Sequence, residues 1–260
     1  AQGFGLRDLG LIAPGYRADM VLLDDLADCA VASVIRDGRP VDDESFGGHR
    51  PDLSVGRRSI KLDRVEPLIF EVPGIGPSGP VIGLVPDGVI TTHLTMDLPF
   101  ANGLRHPDPE NDVLKVVVLN RHGGNRNIGH GFIKGFGFRD AAIASSVGHD
   151  AHNVIVVSDN DRDMAVAVNR LIEIEGGFAV VRGGRVIADL PLPIAGLMSD
   201  KSAADVVIAL QRLRLAAKDI GCPLPEPFLH MAFLPLCVIP HLKITDHGLV
   251  DVDNFELIAA

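Results

Sequence analysis

Ala141-Ala142-Ile143-Ala144-Ser145-Ser146-Val147-Gly148-His149-Asp150-Ala151-His152-Asn153-Val154-Ile155-Val156-Val157 is the stretch on which the fold turns. Its two ends are short apolar runs, the second rich in β-branched residues, and such runs read as buried strands. Between them lie two imidazoles, a carboxylate, a carboxamide and two hydroxyls. The polar cluster therefore falls where one core strand hands over to the next, a usual place for site residues. On a continuous strand His149 and His152 would face opposite ways, because side chains alternate. A turn or bulge at Gly148 would bring both rings to one side. The cluster reads either as a metal or proton-transfer site built from His149, Asp150 and His152, or as a hydrogen-bonded polar turn. Ser145, Ser146 and Asn153 are its candidate substrate-binding neighbours, together with His122 from the segment discussed next.

Outward from this stretch, Val113 to Leu119 is the strongest strand. It leads into Arg121-His122-Gly123-Gly124-Asn125-Arg126-Asn127-Ile128-Gly129-His130-Gly131-Phe132-Ile133-Lys134-Gly135-Phe136-Gly137. So many glycines allow a close backbone approach, as in an active-site or subunit-contact loop, or in a tight connection between strands. The spacing fits neither GxGxxG nor GxxxxGK[ST]. His122 and His130 are expected to approach the His149 cluster. Asp159 to Asp163 charges and caps a helix beginning near Met164. The same acids are not a calcium loop, since Met164 and Arg170 stand where glycine and glutamate are required. Gly176-Gly177 ends that helix, and Phe178–Val181 and Arg185–Leu190 form a hairpin about Gly183-Gly184. A second helix opens at Ser202 and stops at Gly221, with Ser199 or Asp200 as a candidate N-cap. Leu229 to Ile239 reads as a buried kinked helix, and Phe255 to Ile258 as a closing strand. Thr245-Asp246 reads as a structural turn.

Towards the N-terminus, Arg17–Leu23 and Val31–Arg36 are strands, and Asp37-Gly38 turns the second into Arg39-Pro40-Val41. Three short strands are too few for their own core, so they should complete a sheet begun elsewhere. Residues 42–58, with Gly47-Gly48 and Arg57-Arg58, read as a linker. Pro73 to Pro80 is a Gly/Pro loop. Val81–Val85 and Gly88–Leu94 are strands about Asp87-Gly88, and 97–111 is a polar loop. The expected organisation is a β unit with its linker over 1–58 and a second domain over 59–260. The fold class is mixed α/β, with mixed sheets and about three helices.

Composition narrows the function. The 260 residues carry 24 Lys and Arg against 34 Asp and Glu, a formal charge of −10. That argues against broad binding to nucleic acid or to anionic membranes. No apolar run approaches the roughly 20 residues of a membrane span. Cys29, Cys222 and Cys237 show no CxxC spacing and read as reduced, mostly buried thiols of a cytoplasmic protein. No GxSxG is present. The opening residues neither cap a helix nor begin a strand, as expected of the C-terminal part of a longer polypeptide.

Several motifs carry a resemblance. Gly10-Leu11-Ile12-Ala13-Pro14-Gly15-Tyr16-Arg17-Ala18-Asp19-Met20-Val21-Leu22 resembles the segment by which amidohydrolase-superfamily enzymes return from a metal-bearing barrel to a small β-sandwich. Gly131 to Gly137, Ala144–Val147 with His149–Asn153, Leu190–Pro193 with Gly196-Leu197, and Thr245-Asp246 with Gly248–Val252 resemble the C-terminal domain of bacterial-type adenine deaminase. The resemblance implies hydrolysis of adenine to hypoxanthine and ammonia at a binuclear manganese or iron centre. There a metal-activated hydroxide attacks the carbon bearing the amine and a carboxylate shuttles the proton. It also implies that the main ligands lie in a TIM barrel upstream of these residues. The chain has no HxH motif, so that barrel is absent from it and the chain alone should not deaminate. The expected partners are adenine, the missing barrel and further copies of the chain; nucleic acid and membrane are not expected. An autonomous metal- or purine-binding module without turnover, or part of another cyclic-amide hydrolase, are the alternative readings.

Overall fold

The computed structural model describes residues 1–42, 45, 53–86 and 88–260. It divides into two compact units, Ala1–Asp52 and Leu53–Ala260. The Gly47-Gly48 part of the expected linker, and Asp87 of the expected Asp87-Gly88 turn, lie outside the described residues.

In the first unit β1 (Met20–Asp25), β2 (Ala30–Arg36) and β3 (Arg39–Pro40) form an antiparallel three-stranded sheet. The expected Asp37-Gly38 turn is present, with Asp37 and Gly38 both at positive φ. β1 begins later than the sequence suggests because Arg17 and Asp19 serve the turns. The Arg17 side chain donates to Asp37 and the Asp37 amide donates to the Asp19 carboxylate. Val21, Leu22, Leu23, Val31 and Val34 remain exposed, so this sheet has no core of its own. Cys29 is also exposed, against the expectation of buried thiols, because it sits at the turn between β1 and β2.

The second unit is built on an eight-stranded sheet. Its strands in chain order are β5 (Ser78–Leu84), β6 (Thr91–Asp97), β9 (Val113–Leu119), β10 (Ile128–Lys134), β11 (Ala141–Ser145), β12 (Val154–Ser158), β13 (Gly177–Arg182) and β14 (Arg185–Pro191). Their spatial order is β14-β13-β11-β12-β9-β10-β5-β6, and among the described residues only the β10–β5 pairing is parallel. Two small antiparallel sheets join it. One is β4 (Val72–Pro73), β7 (Phe100–Ala101) and β8 (Leu104–Arg105); the other is β15 (Leu242–Thr245), β16 (Gly248–Asp251) and β17 (Glu256–Ile258). The α-helices among the described residues are α1 (Asp161–Glu173), α2 (Ala203–Asp219) and α3 (Pro227–Phe233).

The uninterrupted apolar runs are explained by cover on both faces of the sheet. Alternate residues of β9 enter different cores. Val116 and Val118 join a cluster with Leu213 of α2, Met231 of α3 and Ile244 of β15. Val117 and Leu119 join a second cluster with Met164, Val168 and Leu171 of α1. The period of two thus splits one run between two layers. Lys115, almost wholly buried in the same strand, pairs with Asp161 at the start of α1. Asn160 caps α1, its side chain accepting from the Asp163 amide. At the far edge the β13–β14 register slips between Val180 and Val181, which leaves Ile187 unpaired.

Several expectations need correction. Gly88–Leu94 is displaced, because β6 begins at Thr91. The 97–111 loop holds β7, β8 and a short 3-10 turn at Pro109–Asn111. Leu229–Ile239 is not one kinked helix; α3 ends at Phe233, just before Pro235, which cannot donate into a helical ladder. The cap of α2 is Ser202 rather than Ser199 or Asp200. Asp200 instead accepts from Arg57 at 2.9 Å, and that guanidinium holds its carboxyl below the usual range.

Much of Arg121–Gly137 is not a loop: Ile128–Lys134 is β10. Its glycines are demanded by a remote neighbour. A Cβ on Gly129 would lie 1.9 Å from the Thr245 carbonyl oxygen, and one on Gly131 would lie 2.8 Å from a Leu249 methyl. The β15–β16 hairpin rests directly on the β10 backbone, so only glycine fits.

Candidate functional site

The antiparallel order places the chemistry-bearing loops at one end of the sheet. Leu119 is opposite Ile128 on one side and Val154 on the other, and Ser145 is opposite Ile155. Segments 120–127 and 146–153 therefore emerge side by side. The β15–β16 turn, lying over Gly129, adds Thr245 to His247.

The 146–153 turn closes on itself. The His152 amide donates to the Gly148 carbonyl at 2.6 Å, and the Gly148 amide donates to Nδ1 of the His152 ring at 3.2 Å. Accepting at Nδ1 leaves Nε2 to carry the proton of the neutral ring. His152 holds φ 51°, a left-handed value that takes it off the strand path. The two rings consequently share one side, with centroids 5.6 Å apart. The His149 amide donates to the Ala232 carbonyl at 2.8 Å, and its ring lies against Phe233 with centroids 5.1 Å apart. Burial pushes the His152 imidazole below its ordinary value; His149 and Arg121 push the same way and Asp150 opposes. His152 is therefore neutral at neutral pH.

Arg121, which no sequence signal marks as a site residue, braces the turn. It is 2% exposed, and its Nε donates to the His152 carbonyl. Its terminal nitrogens donate to Ser59 Oγ at 2.8 Å and to the Ala195 carbonyl at 2.9 Å. Burial lowers its guanidinium from the usual value. His122 does reach the cluster, with Nε2 donating to the Ala151 carbonyl at 2.6 Å. His130 does not, because its ring donates to the Ile69 carbonyl at 2.8 Å and burial keeps it neutral.

The hydroxyls behave differently from the rings. Ser145 and Ser146 are wholly buried. Ser145 Oγ donates to the Val147 carbonyl and accepts from the Val147 amide. Ser146 Oγ donates to the Gly196 carbonyl at 2.6 Å and accepts from the Gly177 amide at 2.7 Å. Both engage the main chain, and neither is among the residues lining the cavity described next. Asn153, 4% exposed, accepts from the Arg121 amide and also lines the cavity described next.

That cavity, about 270 Å³, lies between the 149–153 turn, the 235–238 segment and the β15–β16 turn. Asp246, read from sequence as a structural turn, is part of its wall. Asp246 Oδ2 accepts from Asn120 Nδ2 at 3.0 Å and stands 3.9 Å from His247 Nε2. The Asn120 side chain also accepts from the His122 amide, so one carboxamide ties the two loops together. Asp150, Ala151 and Cys237 complete the rim, and burial raises the Cys237 thiol. A larger open groove of about 960 Å³ is lined by residues of the 119–128 segment and by 61–66. Among the described residues no group of three or more His, Cys, Asp or Glu side chains is placed to hold a metal ion. His149, Asp150 and His152 are thus neighbours without being a three-donor set: one ring nitrogen of His152 is committed to Gly148, and His149 lies on Phe233. No helix among the described residues is long and apolar enough to cross a membrane.

The architecture is that of a mixed α/β domain presenting histidines, carboxamides and carboxylates at a single sheet end. The family model described as "Adenine deaminase C-terminal domain" matches residues 88–256. An adenine deaminase of Methylobacterium nodulans is 56% identical over 259 residues, which cover 99% of this chain and 46% of the relative. Those of Gluconobacter oxydans (54% identical, 99% and 46% covered) and Brucella suis (51% identical, 99% and 44% covered) are similar in the same way. The chain belongs to the adenine deaminase C-terminal domain family. It spans less than half the length of these curated relatives.

Proposed function

We propose that this chain is the C-terminal portion of a metal-dependent adenine deaminase, which converts adenine and water to hypoxanthine and ammonia in purine salvage. The observation that carries this is identity above half, sustained over 99% of the chain, with relatives named adenine deaminase. The manganese or iron of the resemblance has no donor set among this chain's described residues, so its ligands are assigned to a barrel outside them. Bound there, the metal would supply the activated water. The chain's own part is to present the sheet end to the substrate side. Neutral His152 offers an N–H, and His149 and Asp150 stand beside it as groups able to hold a proton. His122 and Asn153 flank them. The same reading carries a cytoplasmic homo-oligomer, in line with reduced cysteines and the exposed sheet of the first unit.

The test is an adenine-to-hypoxanthine assay on the full-length parent, with and without added Mn²⁺, alongside the 260-residue chain alone. Metal-stimulated turnover by the parent and none by the chain supports the reading. A metal-loaded parent that leaves adenine untouched refutes it.

A further inference from the structure

We propose that the cavity between the 149–153 turn and the β15–β16 turn binds, on this chain alone, one small uncharged flat heterocycle, a free purine base rather than its nucleotide. Size is the first argument. At about 270 Å³ the cavity falls just below the roughly 300–1,000 Å³ of clefts that bury drug-sized ligands. It is large enough for a single bicyclic base.

Charge is the second argument. The lining includes the carboxylates of Asp150 and Asp246 and no Lys or Arg side chain. A phosphate would meet two negative charges and no fixed positive one. The third argument is the pattern of polar groups. Asp246 is buried, and its Oδ2 accepts from Asn120 and stands 3.9 Å from His247 Nε2. Across the cavity, His152 is neutral and carries its proton on Nε2. The site thus pairs an ionic acceptor with an N–H donor, and suits a ligand edge that itself carries an N–H beside a ring nitrogen or carbonyl. Pro235 and Leu236 supply apolar walls, as flat ring faces need. The choice of a purine among such heterocycles rests on the deaminase reading; the size, charge and edge pattern do not.

The experiment is calorimetric titration of adenine, and separately of adenosine monophosphate, into the 260-residue chain without metal. Adenine is expected to bind one to one, with the nucleotide at least about tenfold weaker. Asp246→Asn should weaken adenine by about tenfold or more, as loss of a charged acceptor does. Leu236→Trp, which fills the cavity from its apolar wall, should abolish binding; it also serves as the readout if Asp246→Asn melts early by circular dichroism. Absence of adenine binding, equal affinity for the nucleotide, or unchanged binding in a folded variant would overturn the proposal. A parent that deaminates adenine while the chain fails to bind it would overturn this proposal and spare the deaminase reading. A chain that binds adenine while the parent cannot deaminate would do the reverse.

Discussion

Lys243 should give this protein a pH dependence of stability that a single substitution removes. The side chain sits on β15 with no exposed surface, and its Nζ donates to the Val89 carbonyl at 2.9 Å. Around it Leu84, Ile90, Phe233 and Leu234 leave a void of only about 10 Å³, no more than one water requires. Burial lowers the ammonium from 10.5 to about 8, with Cys237 opposing weakly. The unfolded chain keeps this proton until pH rises past the ordinary value, while the folded chain releases it near pH 8. Between those limits the unfolded state binds more protons, so stability rises with pH. The full span corresponds to about 3 kcal/mol, of which about 1.4 kcal/mol falls between about pH 7 and about pH 9. Lys243→Met keeps the volume and removes the charge. It also strips the Val89 carbonyl of its donor, at about 1–3 kcal/mol, so the two proteins should be close in stability at neutral pH. The slope separates them. Cys222, raised by burial to about 11, pulls stability down in more alkaline solution. That contribution is common to both proteins and cancels in the difference. Urea unfolding of the chain and of Lys243→Met at about pH 7 and about pH 9 supplies the measurement. Equal pH dependence in the two would show that the buried lysine reasoning is wrong.

Gly129→Ala should cost about 3 kcal/mol or more, because its methyl would fall on the Thr245 carbonyl, and thermal melting reads it directly. Ser146→Ala should lower stability by about 1–3 kcal/mol by orphaning the Gly177 amide, while leaving the parent's KM for adenine in place; an altered KM at unchanged stability would return Ser146 to the site. Mn²⁺ titrated calorimetrically into the chain and into His149→Ala/His152→Ala should give the same featureless isotherm, since no three-donor group is formed among the described residues. A saturable signal in the first that vanishes in the second would reinstate the metal reading. Arg121→Met should release the 146–153 turn, lowering the melting temperature and raising hydrogen exchange at Gly148 and His152, whereas unchanged protection there would deny Arg121 its bracing role.

The parts of the fold visible in the sequence are those whose causes are local. Val113–Leu119, the Gly183-Gly184 hairpin, and the helices beginning after Asn160 and Ser202 are each announced by neighbours within a few positions. β10 was hidden because its glycines suppress the strand signal, and their reason is a hairpin more than a hundred residues further on. The proline-broken run after Leu229 looked helical by composition, but Pro235 ends the hydrogen-bonding ladder at α3. The site shows the same division. The convergence of His149 and His152 was legible from Gly148 between two strands. The fates of His130 and Asp246 were not, because Ile69 and Asn120, their partners, are remote in the chain. Ser145 and Ser146 turn their hydroxyls to the main chain, as hydroxyls at a strand end do as readily as they serve ligands.

The one-residue slip at Val180 and Val181 also governs what the long sheet can join. With Ile187 left over, the outer rim of β14 is kinked and presents an uneven row of amides and carbonyls, a poor template for an added strand. β6, at the opposite rim, stays in step with β5 from Thr91 to Asp97. Any strand capture by a misfolded or crowded population should therefore begin on the threonine-rich side, and a lysine or proline placed at Thr95 would be the economical way to blunt it.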